Sequence, residues 1–189
     1  MPKTQTRNPK KFILNKVYPY SSVSSLWFAL PILFVYAMAY YYWFGDGFRL
    51  GLISLIFMMY FATVVGIVRL LSKNVMIWFD DQYMYLQSDQ KEPQKFTKQE
   101  ILGFYSYDYL TPTPLLFNSK ISIQFYLCNG KKLFLNDSNY RSRIDEDKRR
   151  LLFTFLKTAQ SELEFYPARR KYKYYANNVY WYSRHHNKD

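Results

Sequence analysis

Hydrophobic positions divide this chain into two unlike parts. From Val23 to Phe44 there are 22 residues without a charge, and a second uncharged run extends from Leu50 to Val68. A helix rising about 1.5 Å per residue crosses the roughly 30 Å hydrocarbon core of a bilayer in about 20 residues, so each run predicts a membrane-spanning helix. Gly45-Asp46-Gly47 lies between them, and its glycines suit a tight reversal. The pair reads as a helical hairpin. Pro31 falls inside the first helix, where it can kink the axis. Ala62 and Gly66, four apart in the second, suit ordinary close packing within the hairpin.

After Lys73 the period changes. Val75, Ile77 and Phe79 alternate with Met76 and Trp78, Asp80-Asp81 interrupts, and Gln82 to Ser88 resumes the alternation, which predicts a β-hairpin. Residues 94–109 read as a further extended stretch. Thr111-Pro112-Thr113-Pro114 must be a loop or an edge, because proline cannot donate to a sheet ladder. From Ile121 to Leu135 the apolar residues Ile121, Ile123, Phe125, Leu127, Leu133 and Leu135 share one face, and Asn129-Gly130 predicts a type I′ turn between two strands. A helical stripe follows, made by Ile144, Leu151, Leu152, Phe155, Leu156, Ala159 and Leu163. Ser142 and the acids Asp145, Glu146 and Asp147 suit its N-terminus, and Pro167 marks its end.

The predicted class is therefore α+β: a transmembrane helical hairpin, then a small antiparallel sheet or partly open barrel covered by a C-terminal helix. The expected segments are a basic N-terminal flank at 1–22, the hairpin at 23–73, the folded domain at 74–166 and a basic, aromatic tail at 167–189.

Charge sharpens this division. Residues 1–73 carry eight Lys or Arg and one acid, residues 74–166 twelve of each sign, and residues 167–189 six bases and one acid. The net charge of +12 thus flanks the expected membrane segments and leaves the folded part neutral. A nucleic-acid-binding domain usually carries its basic excess on the fold itself, so no nucleic acid is expected. Lys and Arg near membrane segments are retained in the cytoplasm. Lys3, Arg7, Lys10, Lys11 and Lys16 before the first helix, with Arg69 and Lys73 after the second, place both termini there. A cleavable signal peptide is the rival for the first run, given Ala37-Met38-Ala39. The run is too long for one and continues into Tyr40-Tyr41-Tyr42-Trp43, an aromatic belt of the kind found at membrane interfaces.

Catalytic chemistry finds little support. Cys128 is the only cysteine, which excludes an intramolecular disulfide and a cysteine-based zinc site. His185 and His186 are adjacent in the tail without a third ligand. The acids at 145–147 suit a helix dipole, and those at 80–81 suit a turn. Phosphate-binding loops, dinucleotide fingerprints and nucleophile elbows are missing from the sequence. No enzyme activity and no cofactor or metal are expected. The tail holds Arg169, Arg170, Lys171 and Lys173 with Trp181 and Tyr182 close by, a mixture suited to an anionic lipid surface.

The two apolar spans, the Ile77-Trp78-Phe79-Asp80-Asp81-Gln82-Tyr83 segment, Lys98-Gln99-Glu100-Ile101, Asn129-Gly130 and the terminal helix together resemble the bacterial pleckstrin-homology-like, YcxB-like membrane proteins. The resemblance covers about residues 23–165. It implies a bacterial inner-membrane location and a binding or assembly scaffold. Lipid-binding members of the wider fold place basic residues around the first strand pair. Asp80 and Asp81 in the turn read as that pair's would repel a phosphate headgroup. Membrane lipids and a protein partner are the expected partners, and a homo-oligomer is left open. The alternative is an immunity or toxin-neutralising membrane protein whose hairpin meets the attacker.

Overall fold

The computed structural model describes residues 9–21, 24–45, 47, 49–107, 109, 120–138, 145–168 and 179–184. The first regular element lies before the apolar runs. Strand β1 (Phe12–Tyr18) alternates buried Phe12 and Leu14 with exposed Ile13 and Asn15. It then bulges at Lys16, whose φ of 57° resets the phase so that Val17 and Tyr18 both face inward.

The apolar runs form helices α1 (Leu26–Phe44) and α2 (Leu50–Leu70), both long and apolar enough to cross a membrane. Ala29 is the one buried residue of α1, and α2 has none. A core helix of a soluble protein would be largely covered, whereas Trp27, Tyr42 and Leu70 are each more than four-fifths exposed. The helices meet through tyrosines. Tyr36 and Thr63 share a 2.8 Å hydroxyl contact, Tyr36 packs edge-on to Tyr60, and the Tyr40 hydroxyl donates to the Gly47 carbonyl at 2.6 Å. Gly66 takes no part in the close packing expected of it, since a Cβ built there meets nothing within 4 Å.

Beyond the hairpin come β2 (Lys73–Phe79), β3 (Tyr83–Ser88), β4 (Gln94–Thr97), β5 (Ile101–Tyr107), β6 (Ser122–Leu127), β7 (Lys132–Asp137), helix α3 (Glu146–Leu163), β8 (Tyr166–Ala168) and β9 (Val179–Ser183). With β1 these strands build one nine-stranded antiparallel sheet in the order β4-β3-β2-β1-β7-β6-β5-β9-β8. The sheet draws on both flanks of the expected 74–166 domain. β1 precedes the hairpin and lies between β2 and β7, while β8 and β9 come from the segment read as tail. The helical hairpin is thus an insertion between two neighbouring strands.

The sheet must curl. β4 and β5 stand six positions apart in it, yet only the 3-10 turn Lys98–Glu100 joins them. Thr97 and Glu100 close that turn with a reciprocal capping box, and the Arg184 side chain at the end of β9 donates to the Lys98 carbonyl. Both edge strands are short, and Pro167 in β8 blunts one of them against pairing with another chain.

The core lies between the inner face of this sheet and α3. Leu152, Phe155, Leu156, Ala159 and Leu163 of α3 are all buried, as their spacing predicts. Phe155 meets Phe12 edge-on at 5.4 Å and Phe79 at 6.4 Å. Asp145 caps the helix by accepting from the Lys148 amide at 3.1 Å. Ser142, Ile144 and the prolines at 112 and 114 lie outside the described residues. The helix ends at Glu164 in the left-handed conformation, three residues before Pro167, which belongs to β8. The β6–β7 turn also differs from expectation. Only Gly130 has a positive φ, 79°, and its amide donates to the Leu127 carbonyl, so the loop is the three-residue form and not type I′.

Candidate functional site

Four of the six residues expected to contact lipid, Arg169, Arg170, Lys171 and Lys173, lie outside the described residues, as do His185 and His186. The other two, read from sequence as rings for the headgroup layer, belong to the sheet. Tyr182 is buried, its ring stacked on Phe104 at 4.9 Å. Alternation then turns Trp181 to the outer face, where it packs against Tyr105 at 4.7 Å and Tyr126 at 5.4 Å.

This outer cluster needs a missing side chain. A Cβ on Gly103 would lie 2.6 Å from the Tyr182 carbonyl and inside contact distance of the Trp181 indole. Both obstacles belong to the paired strand, and the carbonyl is fixed in the ladder. Gly103→Ala is therefore expected to pry β9 from β5. A loss of about 1–3 kcal/mol follows from overpacking of this kind. Thermal unfolding of the full chain in mild detergent, followed by near-ultraviolet circular dichroism, measures it. An unchanged midpoint would mean that β9 does not sit on β5.

A second outer cluster covers the other half of the sheet. Register sets Trp78, Tyr85 and Lys95 side by side on β2, β3 and β4. Trp78 and Tyr85 stack at 5.1 Å with their planes 4° apart. Lys11 lies 5.3 Å from the Trp78 ring and Lys95 3.5 Å from that of Tyr83. Cross-strand aromatic pairs and cation–π contacts stabilise a sheet by about 0.5–1 kcal/mol each at such sites. They also leave a surface of planar rings rimmed by ammonium groups.

Asp80 closes the β2–β3 turn beside it. One carboxylate oxygen accepts from the Gln82 amide at 2.9 Å and the Tyr83 amide at 2.6 Å, the other from the Tyr85 hydroxyl at 2.8 Å. Burial pushes this carboxyl up, but those donors, with Lys95 nearby, outweigh it and hold Asp80 below its ordinary value. The Tyr85 phenol is raised in return, first by its bond to Asp80. A lowered folded-state value stabilises the fold above the unfolded-state pKa and loses that contribution as pH falls through the folded-state value. Asp80→Asn should thus lower the melting midpoint at pH 7, and the gap from the unaltered protein should close below about pH 4. A gap independent of pH would remove the charge from the explanation.

Other polar groups are also engaged within the fold. Lys98 pairs with Glu162 at 2.7 Å, and Lys148 pairs with Asp137, whose side chain is 6% exposed. The buried Tyr109 hydroxyl donates to the Lys120 carbonyl at 2.7 Å, and burial raises its phenol. Cys128 is exposed. Among the described residues, no group of three or more His, Cys, Asp or Glu side chains comes together to hold a metal.

No family model, curated protein or solved structure matches the chain. The arrangement must therefore be read from its own chemistry: an α+β domain with an aromatic and basic outer face, joined at two neighbouring strands to a pair of long apolar helices.

Proposed function

We propose that the protein is a membrane-tethered cytoplasmic binding module without catalytic activity, whose outer aromatic face takes an acidic protein partner. The observation that carries this reading is the insertion of the hairpin between β1 and β2, which are paired over Phe12–Leu14 and again at Val17 opposite Lys73. Both roots of the hairpin therefore leave the domain from one side. Only Leu71 and Ser72 separate α2 from β2, and the Ser72 hydroxyl donates back to the Val68 carbonyl at 2.6 Å. A link this short holds the domain at a set height and angle to a bilayer.

The meander of seven strands followed by α3 supports a pleckstrin-homology-like form. In that frame Asp80 and Asp81 lie in the second strand connection, and the hairpin itself replaces the first. The basic residues before α1 and after α2 support a cytoplasmic placement. A cysteine introduced at Asp46 should accordingly react with an impermeant reagent outside intact cells, while Cys128 should not. Labelling of Cys128 with protection at position 46 would invert the orientation.

Lys11 and Lys95 around Trp78, Tyr83 and Tyr85 support an acidic partner, since aromatic anchors with a charged rim are typical of interface centres. The full chain, purified in mild detergent, should retain a partner that a Lys11→Glu/Lys95→Glu variant loses. Equal retention by both, or by residues 1–73 alone, would move the interaction off the sheet.

A further inference from the structure

Two unusual backbone conformations meet at the rim of the sheet where the hairpin is rooted. Among the described residues Lys16 and Asp89, with φ of 57° and 49°, lie in the left-handed region, and Asn74 stands between them. The Asn74 side-chain carbonyl accepts from the Lys16 amide at 3.2 Å. Its own amide donates to the Asp89 carboxylate at 2.9 Å, and its backbone carbonyl accepts from the Asp89 amide at 2.8 Å. Aspartate tolerates this conformation, whereas a lysine adopts it only where its surroundings impose it. The consequence is a change of side. Strict alternation after Phe12 and Leu14 would turn Lys16 into the core, but the bulge gives the inward position to Val17 and leaves Lys16 exposed.

Register brings three more cations to the same rim. Val17 lies opposite Lys73, which follows α2 after Leu71 and Ser72, and Arg69 stands in the last turn of that helix. Val75 pairs with Ser88, so the β3–β4 turn that carries Lys91 leaves the sheet at this end as well. Lys16, Arg69 and Lys91 are exposed and Lys73 is half-buried. Among the described residues, none of these four side chains takes part in an ion pair, a hydrogen bond or a ring contact. Asp89 and Glu92 are the acids of the turn, and one Asp89 oxygen is engaged by the Asn74 amide, so the rim keeps a positive excess.

Depth gives that excess a partner. The 21 residues of α2 span about 31 Å, the thickness of the hydrocarbon core, and the headgroup layer beyond is roughly 5–7 Å deep on each side. In a bilayer Arg69 and Lys73 therefore stand among the phosphates, and the ladder holds Lys16 and Lys91 beside them.

We infer that this rim is a binding surface for anionic phospholipid of the adjoining leaflet, whose phosphates meet Lys16, Arg69, Lys73 and Lys91. The bulge is the device that delivers Lys16 to it. The inference rests on the membrane reading given above, and it locates lipid recognition at the root of the hairpin, away from the basic tail.

The test uses the full chain in a mild non-ionic detergent, with dioctanoyl phosphatidylglycerol as the probe and native mass spectrometry as the readout. The unaltered chain should retain this lipid saturably, and dioctanoyl phosphatidylcholine more weakly. A base near an anionic lipid layer strengthens attachment about fivefold, so Lys16→Gln/Lys73→Gln/Lys91→Gln should weaken phosphatidylglycerol by about tenfold or more. Lys16→Arg/Lys73→Arg/Lys91→Arg should restore it. Arg169→Gln/Arg170→Gln/Lys171→Gln/Lys173→Gln, in the tail, should keep most of the binding. Near-ultraviolet circular dichroism verifies the fold of each variant, and Lys91→Gln alone, in an exposed turn, replaces the triple variant if that one does not fold. Equal retention of the two lipids, or unchanged phosphatidylglycerol affinity in a folded rim variant, would overturn the surface. Displacement of the lipid by an equal concentration of inorganic phosphate would also overturn it, because a free anion would then serve as well as a lipid. Release of the chain from membranes by alkaline carbonate would instead defeat the membrane reading itself, which keeps the two failures distinct.

Discussion

A version of the domain that begins at residue 74 should fail to unfold cooperatively, while the same chain with residues 9–18 joined to Lys73 by a short Gly/Ser linker should fold. β1 is an interior strand, held by β2 on one side and β7 on the other. Its loss uncovers the partners of Phe12, Leu14 and Val17, each at most 1% exposed. Burial of such side chains contributes about 1.5–3 kcal/mol apiece, against a total stability of about 5–15 kcal/mol for an ordinary domain. Loss of three, together with two hydrogen-bonded ladders, is enough to unfold it. A flexible linker of a few residues suffices in the joined form, because Val17 already faces Lys73 across the ladder. Denaturant titration of both forms is the measurement. A sharp transition of equal midpoint in the shorter form would show that β1 is dispensable.

The second large effect is expected at α3. Phe155→Asp sets a carboxylate between Phe12 and Phe79, at a position with no solvent exposure. Deleting the ring alone costs about 3–5 kcal/mol, and the unpaired charge adds to that. The variant should lose the near-ultraviolet signal of the folded domain while α1 and α2 keep their far-ultraviolet helicity in detergent. Phe155→Leu, which keeps an apolar side chain there, should cost far less. Equal midpoints for Phe155→Asp and the unaltered chain would mean that the buried face of α3 is assigned wrongly.

Elements with local signals were readable from sequence. The two helices, the β2–β3 and β6–β7 hairpins and the buried stripe of α3 each follow from a period contained within about twenty residues. β1 was not readable for a physical reason. The bulge at Lys16 breaks its alternation after Leu14, and three lysines within or beside it make the segment look like a charged flank. Its nearest partner also lies beyond the whole hairpin. β9 was hidden in a similar way. Val179-Tyr180-Trp181-Tyr182 is rich in strand-forming residues, but the bases upstream and the aromatic content suggested a lipid surface. Only pairing with β5, some 75 residues earlier, turns Tyr182 into a core residue. The outer aromatic face depends on register between strands, which composition does not encode.

The pairing of Val17 with Asp137 also sets an order of events during synthesis. β1 leaves the ribosome before either neighbour: it can pair with β2 once the hairpin between them has been made, and with β7 only after more than a hundred further residues. If the second helix fails to return, β1 and β2 end on opposite sides of the bilayer and the sheet has no centre. A half-inserted chain then presents unpaired strand edges and an uncovered core, surfaces that chaperones and proteases recognise. Under the membrane reading proposed above, completion of the sheet therefore requires both helices to return to the same side.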